Sequence, residues 1–205
     1  MTRGRLDGRA VARLAALAET ADAGARPAFD DAAVLVGAAQ VLGGDAPTVA
    51  SSLQAARARD RAAAFTADPA LARPIGFYTW SAALERIFTR DRFLQNRDDG
   101  ESYGAFAAIA FALAQDATLL ADYQRVSGLY AGLTNPFTSY TIDALIPYVT
   151  SPSSLANPAA IESAFLAATT PRKACGYVPV AFIPASRSKD SNYFDEQFCF
   201  GLPAG

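Results

Sequence analysis

The segment FAAIAFAL, residues 106–113, has no polar side chain at any position. A helix at the surface of a globular protein keeps a polar face toward water, so a helix that is apolar on every side is typical of the centre of a core. The segment is also much shorter than the roughly 20 apolar residues that a membrane-spanning helix needs. The sequence therefore predicts a mainly α fold, a helical bundle of about six to eight helices arranged around this segment.

The chain on either side of this segment has the spacing of amphipathic helices. An apolar stripe continues in the residues that follow this segment, so residues 101–133 are predicted to form one long helix or two abutting ones. In front of it the first two helices are predicted to start at Asp7 and near Pro27. A third helix is predicted to start at Asp45 or Thr48, with an arginine-rich side in water. The residues that this third helix is expected to bury are Val49, Leu53, Ala56, Ala63 and Ala64.

Residues 135–205 differ in character, because proline, serine and threonine punctuate them. Short helices are predicted at residues 142–148 and from Asn157 onward. The stretch YVPVAFIPAS, residues 177–186, alternates apolar side chains with smaller or polar ones, as a strand does, and its prolines favour an edge or isolated position. Residues 191–205 are the candidate partner, so we expect a short extended or β-hairpin-like C-terminal segment.

A chain of 205 residues suits a single domain. We expect one mainly helical domain, residues 1–205, in three parts: an alanine-rich helical part (1–72), central helices (74–134) and a Pro/Ser-rich part with extended segments (135–205). The sequence stops shortly after Pro203 without a closing helix, which also fits a fragment of a longer protein.

The net charge is −2 and the isoelectric point about 5.1, so no bulk attraction to nucleic acid or to an anionic membrane is expected. Aromatic residues near arginines have the chemistry to stack on bases: Tyr78 and Trp80 near Arg86, and Tyr123 near Arg125. They lack the surrounding positive charge. The first 19 residues carry arginines inside their apolar stretch and no cleavage site, which argues against a signal peptide. The expected location is the cytoplasm.

The chain contains no histidine. This excludes Ser-His-Asp and Cys-His catalysis, histidine-rich zinc sites and the usual pH switch near neutrality. The two cysteines, Cys175 and Cys199, are too few for a structural zinc site. They are expected to be small buried thiols, or a disulfide in an oxidising compartment. No metal and no cofactor is expected.

The densest side-chain chemistry lies in GFYTWSAALERIFTRDRFLQNRDDGE, residues 76–101. A helix capped by Thr79 or Ser81 is predicted to run to about Leu94. Its apolar positions follow helical spacing, which predicts a buried face. The residues of that face are Trp80, Leu84, Ile87 and Phe88.

Polar residues on the same helix form the candidate site. Asp91 lies one turn beyond the apolar face, where a carboxylate needs a partner. Arg86 and Arg90 are four residues apart and repel each other, so an internal carboxylate or an external anion should compensate them. An internal ion-pair network is the first interpretation. The second is a site for an anionic ligand, formed by Arg86, Arg90 and Asp91 with Tyr78 and Trp80.

Two other motifs are weaker. Residues 96–101, NRDDGE, are rich in oxygen ligands but lack the spacing of a calcium loop. Their acids are placed to stabilise the start of the next helix. Ser186 and Lys189 have the S-x-x-K spacing of serine acyl-enzymes without the companion motifs, and an ordinary polar loop or a phosphate nest with Arg187 explains them as well.

Two functions remain open. The first is a non-catalytic helical domain, structural or protein-binding, whose partner is another protein or the remainder of a longer chain. The second is a ligand-binding or histidine-free enzymatic domain that holds an anion through Arg86 and Arg90, with Glu85 or Asp91 as acid or base. An enzyme is the less favoured class, because no catalytic constellation is found.

Overall fold

The computed structural model describes residues 3–95, 103–135, 137–170 and 180–186, with Ser188, Asp190 and Tyr193. The side chains of residues 3–7 are not part of that description. Within it the chain forms eight α-helices, three 3₁₀ helices and one pair of short strands. The α-helices are α1 (Arg3–Thr20), α2 (Arg26–Leu42), α3 (Ser52–Thr66), α4 (Pro69–Ala72), α5 (Ala82–Gln95), α6 (Tyr103–Ala114), α7 (Ala117–Leu133) and α8 (Pro158–Ala168). The 3₁₀ helices are Gly76–Trp80, Ile142–Tyr148 and Pro152–Ala156, and the strands are β1 (Tyr140–Thr141) and β2 (Val180–Ala181).

Helix α6 is the centre of the fold, as its composition predicts. Every residue from Tyr103 to Leu113 is buried. The helix contacts α1, α2, α7, α8 and two of the 3₁₀ helices, so its apolar side chains meet protein in all directions. The mainly α-helical fold is therefore confirmed.

Residues 103–133 form two abutting helices rather than one long helix. Asp116 ends the first segment and caps α7, accepting hydrogen bonds from the backbone N–H groups of Thr118 and Leu119. The axes of α6 and α7 differ by 116°. Among the described residues no single helix is long and apolar enough to cross a membrane, and only this bent pair, taken together, reaches that length and composition.

Two helix starts differ from the sequence prediction. Asp7 lies inside α1, because helix formation continues through the preceding Arg3–Leu6 turn, which contains no helix-breaking proline. The predicted starts of α3 are wrong as well. Thr48 is held in the preceding loop by the buried amide of Gln40, and Ser51 caps α3 instead by accepting a hydrogen bond from the Gln54 N–H.

The buried face of α3 also differs from the prediction. Leu53 is 69% exposed, whereas the residues that reach the core are Ala58, Ala62 and Phe65. The cause is the close approach of α3 to Gly37 of α2, where an added Cβ would lie 3.2 Å from the Ala58 Cβ. Alanines occur on several sides of α3, so the pattern alone does not choose the face that packs.

Residues 180–181 form a strand within the predicted stretch 177–186, but their partner strand lies 40 residues upstream. The predicted partner, residues 191–205, lies outside the described residues except for Tyr193. Strand β2 pairs in parallel with β1, whereas a hairpin would be antiparallel. The fully buried Tyr123 hydroxyl donates to the Phe182 carbonyl and accepts from the Ile142 N–H, which joins α7 to both segments. The 3₁₀ helix Ile142–Tyr148 and helix α8, capped by Asn157, match the predicted short helices.

One hydrophobic cluster contains residues from all three predicted parts of the chain, from Ala10 in α1 to Ile183 after β2. Ion pairs also connect α7 to the rest of the fold. Arg9 of α1 binds Asp122 at 2.6 Å and lies 3.6 Å from Asp116. These contacts join α1 to α7, whereas α5 packs mainly against α2, α4 and the 3₁₀ helix Gly76–Trp80.

Candidate functional site

The 3₁₀ helix Gly76–Trp80 and helix α5 carry the predicted site residues. Ser81 separates the two elements in an extended conformation, and its hydroxyl accepts a hydrogen bond from the Leu84 N–H. The predicted serine cap is therefore present. Trp80, however, precedes the cap and belongs to the 3₁₀ helix, so it does not continue the face of α5.

The predicted buried face of α5 is wrong at two positions. Trp80 is 81% exposed and Ile87 is 38% exposed. Phe88 is buried as predicted, and further along the helix Asp91, Phe93 and Leu94 are buried too. The face that packs is thus displaced toward the C-terminal half of α5, where Phe93 meets Phe65 of α3 edge to face at 5.3 Å.

The side chains around Trp80 form an apolar feature, here called the aromatic surface: the exposed Ile75, Phe77 and Trp80 with the half-buried Tyr78. Ile75 is 67% and Phe77 51% exposed. Phe77 stacks on Tyr78 with ring centroids 4.1 Å apart and meets Trp80 edge to face at 6.4 Å. Tyr78 connects this surface to the core, because its ring lies 5.1 Å from that of Phe88.

Arg90 and Asp91 lie on another side of α5, against α7 and the end of α2. The Arg90 Nε is 3.6 Å from Asp91 Oδ1, and both side chains are nearly covered. The Tyr130 hydroxyl of α7 donates a 2.9 Å hydrogen bond to Asp91 Oδ2. Asp91 is therefore buried and partnered, which is the environment that its position beside the apolar face predicts.

Arg86 lies apart from Arg90 and faces a surface cleft. Its side chain runs over Gly44, just beyond the C-terminus of α2, where an added Cβ would be 2.7 Å from the Arg86 Nη1. Gly44 has φ of +89°, so this turn favours glycine for its backbone as well as for the contact. The absence of a side chain at Gly44 therefore leaves room for Arg86.

The cleft lies between α2, α3 and α5 and has a volume of about 480 Å³. Two exposed arginines, Arg59 and Arg86, line it together with the exposed carboxylate of Glu85. The remaining lining residues are Val41, Leu42, Ala62, Ala63, Thr66, Pro74 and Thr89.

The structure thus separates the five predicted site residues into three places. Tyr78 and Trp80 form part of the aromatic surface, Arg86 lines the cleft, and Arg90 and Asp91 are nearly buried beside α7. The residues that line the cleft belong to the alanine-rich part (1–72) and the central helices (74–134) of the chain.

Sequence reasoning missed the contribution of Arg59 to the cleft and the exposure of Ile75 and Phe77. Arg59 belongs to the arginine-rich side of α3 that the sequence predicts to face water, and it is exposed. Its only distinguishing property is its position opposite α5, which depends on tertiary packing. For Ile75 and Phe77 a signal was available, because Pro74 and Gly76 interrupt the helical pattern around them.

The other candidates are less favourable. Tyr123 is fully buried and cannot stack on a base, and Arg125 lies 3.3 Å from Asp122. Ser186 forms an isolated antiparallel β-bridge with Phe137. Its predicted catalytic partner Lys189 lies outside the described residues. The oxygen-rich residues 96–101 and both cysteines, Cys175 and Cys199, also lie outside them.

Metal binding has no support in the described part of the chain, where no three Asp, Glu, His or Cys side chains are grouped closely enough to hold an ion. Comparison of the chain with protein-family models, with curated proteins and with solved structures finds no match. The functional argument therefore depends on the geometry of the aromatic surface and of the cleft.

Proposed function

We propose that this protein is a non-catalytic helical interaction domain that docks a partner protein through the aromatic surface around Trp80. The exposure of that tryptophan carries the proposal. An indole that is 81% exposed gains little from folding, although tryptophan is among the residues that contribute most when an interface forms.

The neighbours of Trp80 support the proposal because they add exposed apolar area next to it. Single exposed apolar residues are common on protein surfaces, but a contiguous patch is typical of an interaction site. Ile75 and Phe77 are both more than half exposed, and Phe77 contacts the rings of Tyr78 and Trp80. The anchored Tyr78 holds these rings in place before binding, which lowers the entropy lost on association.

The charge around the aromatic surface indicates the chemistry of the partner. Residues 57–95 contain seven arginines and four acids, although the whole chain has a net charge of −2. Arg73, two residues before Ile75, is exposed. A complementary partner presents an apolar pocket with carboxylates at its edge, because opposite charges at an interface rim favour encounter and orientation.

In this proposal the contacts of Arg90, Asp91 and Tyr130 act as an internal network that holds α5 in place and so orients the aromatic surface. The protein acts in the cytoplasm. It binds another protein, or further residues of a longer chain, and does not bind nucleic acid.

Site-specific photo-crosslinking in the native cells tests the proposal. A photoreactive phenylalanine analogue replaces Trp80 in one variant and Leu53 in a control, since Leu53 is also highly exposed, at 69%, but lies on α3. We expect one discrete adduct from position 80, with an acidic protein, and none of that adduct from position 53. Binding of the purified partner should then weaken by about tenfold or more in Trp80→Ala, as for a central interface residue.

Two outcomes would overturn the proposal. Equal adducts from positions 80 and 53 would mean that the aromatic surface has no preferred partner. An adduct formed only with a second copy of this chain, together with a dimer in sedimentation that Trp80→Ala dissociates, would replace the proposed partner by self-association.

A further inference from the structure

The cleft between α2, α3 and α5 is a second feature, separate from the aromatic surface. Its volume of about 480 Å³ lies within the range of roughly 300–1,000 Å³ that is usual for small-molecule sites. Much of its lining is apolar, from Val41 and Leu42 of α2 and the alanines of α3. A ligand that fits it therefore has a compact apolar body.

The charged residues of the cleft define the other part of such a ligand. Within the described parts of the chain, Arg59 and Arg86 form no ion pair with a carboxylate, in contrast to Arg57, whose Nη2 lies 2.6 Å from Asp31 Oδ1. Two guanidinium groups at one cleft favour an anion, and their planar forks match a carboxylate. Gly44 has no Cβ, which leaves room for the Arg86 side chain beside the end of α2.

We propose that this cleft binds a small organic carboxylate, whose anionic group lies between Arg59 and Arg86 and whose apolar body packs against α2 and α3. The proposal replaces Arg90 of the sequence-based candidate site with Arg59, since Arg90 is nearly covered beside Asp91. It is independent of the partner protein proposed above.

The charge of Glu85 predicts the sign of a change in ligand affinity. Its carboxylate lines the same cleft, so it repels a bound anion and lowers the affinity of the site. Removing this charge should strengthen binding, whereas removing either arginine should weaken it. A general loss of structure would not produce changes of opposite sign.

The experiment measures binding of phenylacetate to the full chain by calorimetry and by backbone amide shifts in NMR spectra. We expect shifts at residues of the cleft, affinity about tenfold or more lower in Arg59→Ala and in Arg86→Ala, and higher affinity in Glu85→Gln. Arg57→Ala is the matched control, because Arg57 is an exposed arginine of the same helix that pairs with Asp31, and it should bind as the unmodified chain does.

Absence of phenylacetate binding at millimolar concentration would overturn the proposal. So would equal losses in Arg57→Ala and Arg59→Ala, or weaker binding in Glu85→Gln. If Arg86→Ala unfolds because its contact with Gly44 is lost, Arg59→Ala and Glu85→Gln still decide the result. Phenyl phosphate, measured in parallel, shows whether the cleft selects a carboxylate; tighter binding of the phosphate would reject that selectivity.

Discussion

At the residue scale, the buried hydroxyl of Tyr123 links three segments of the chain. It donates to the Phe182 carbonyl at 2.8 Å and accepts from the Ile142 N–H at 3.0 Å, entirely within the core. Burial raises the pKa of Tyr123 well above its ordinary value, so the hydroxyl keeps its proton over the accessible pH range. The group therefore acts as a permanent link between α7, the Ile142–Tyr148 helix and the segment after β2.

We expect Tyr123→Phe to lower the free energy of unfolding by about 1–3 kcal/mol, because two buried backbone groups lose their partner. Urea unfolding followed by circular dichroism measures the change. Tyr148→Phe is the control, since Tyr148 also packs on the core, 5.6 Å from the Phe165 ring, and its hydroxyl makes no hydrogen bond to the described residues. Equal stabilities of the two variants would contradict the role given to Tyr123.

At the element scale, helix α7 depends on the charge at its start. Asp116 accepts hydrogen bonds from the Thr118 and Leu119 N–H groups. Its pKa is lowered below the ordinary value of 3.8, chiefly by the hydrogen bond from Leu119 and also by Arg9. A carboxyl whose pKa is lower in the folded than in the unfolded state stabilises the fold above its unfolded pKa, and this contribution is lost as the pH falls through its folded pKa.

We therefore expect Asp116→Asn to be less stable than the unmodified chain at pH 6, and the difference to shrink as the pH falls below about 3.8. The midpoints of urea unfolding, measured for both proteins from pH 6 to below about 3.8, test this prediction. Ser51→Ala is the matched control, because Ser51 caps α3 without a charge and its loss should lower stability equally at every pH. Parallel pH curves for Asp116→Asn and Ser51→Ala would contradict the prediction.

At the scale of the whole molecule, aromatic residues have two opposite roles. Phe165 of α8 is fully buried, and the rings of Tyr103, Tyr140 and Tyr148 surround it at 5.5–6.4 Å. It thereby connects α6, α8, β1 and the 3₁₀ helix Ile142–Tyr148. Trp80, on the aromatic surface, contacts only its neighbour Phe77 among the described rings.

This contrast predicts that Phe165→Ala lowers the free energy of unfolding by about 3–5 kcal/mol, as for a large residue removed from a core. Trp80→Ala should change it by no more than about 0.5 kcal/mol, as for an exposed position. Chemical unfolding of both variants under the same conditions measures the two values. A loss of several kcal/mol in Trp80→Ala would show that Trp80 is structural and would remove the main support for the docking surface.

Two errors in the sequence-based prediction concern which face of a helix is buried. The face of α5 was counted from Trp80 at helical spacing, but Ser81 breaks the helix and the count no longer applies to the tryptophan. The face of α3 was chosen among alanines that occur on several sides, and the approach of Gly37 decided it. In both cases local pattern was ambiguous and contacts distant in sequence selected the result.

The sequence by itself determined that the protein is helical and that residues 106–113 lie at its centre, because a helix without a polar side is stable only when protein covers it on all sides. It also determined short helices such as α8, since proline and a capping asparagine act on their nearest neighbours. Only the tertiary structure decided that Trp80 faces outward, and that Arg86 lines the same cleft as Arg59 while Arg90 lies beside Asp91. Exposure and charge pairing depend on groups that lie far apart in the chain, and helical spacing carries no information about them.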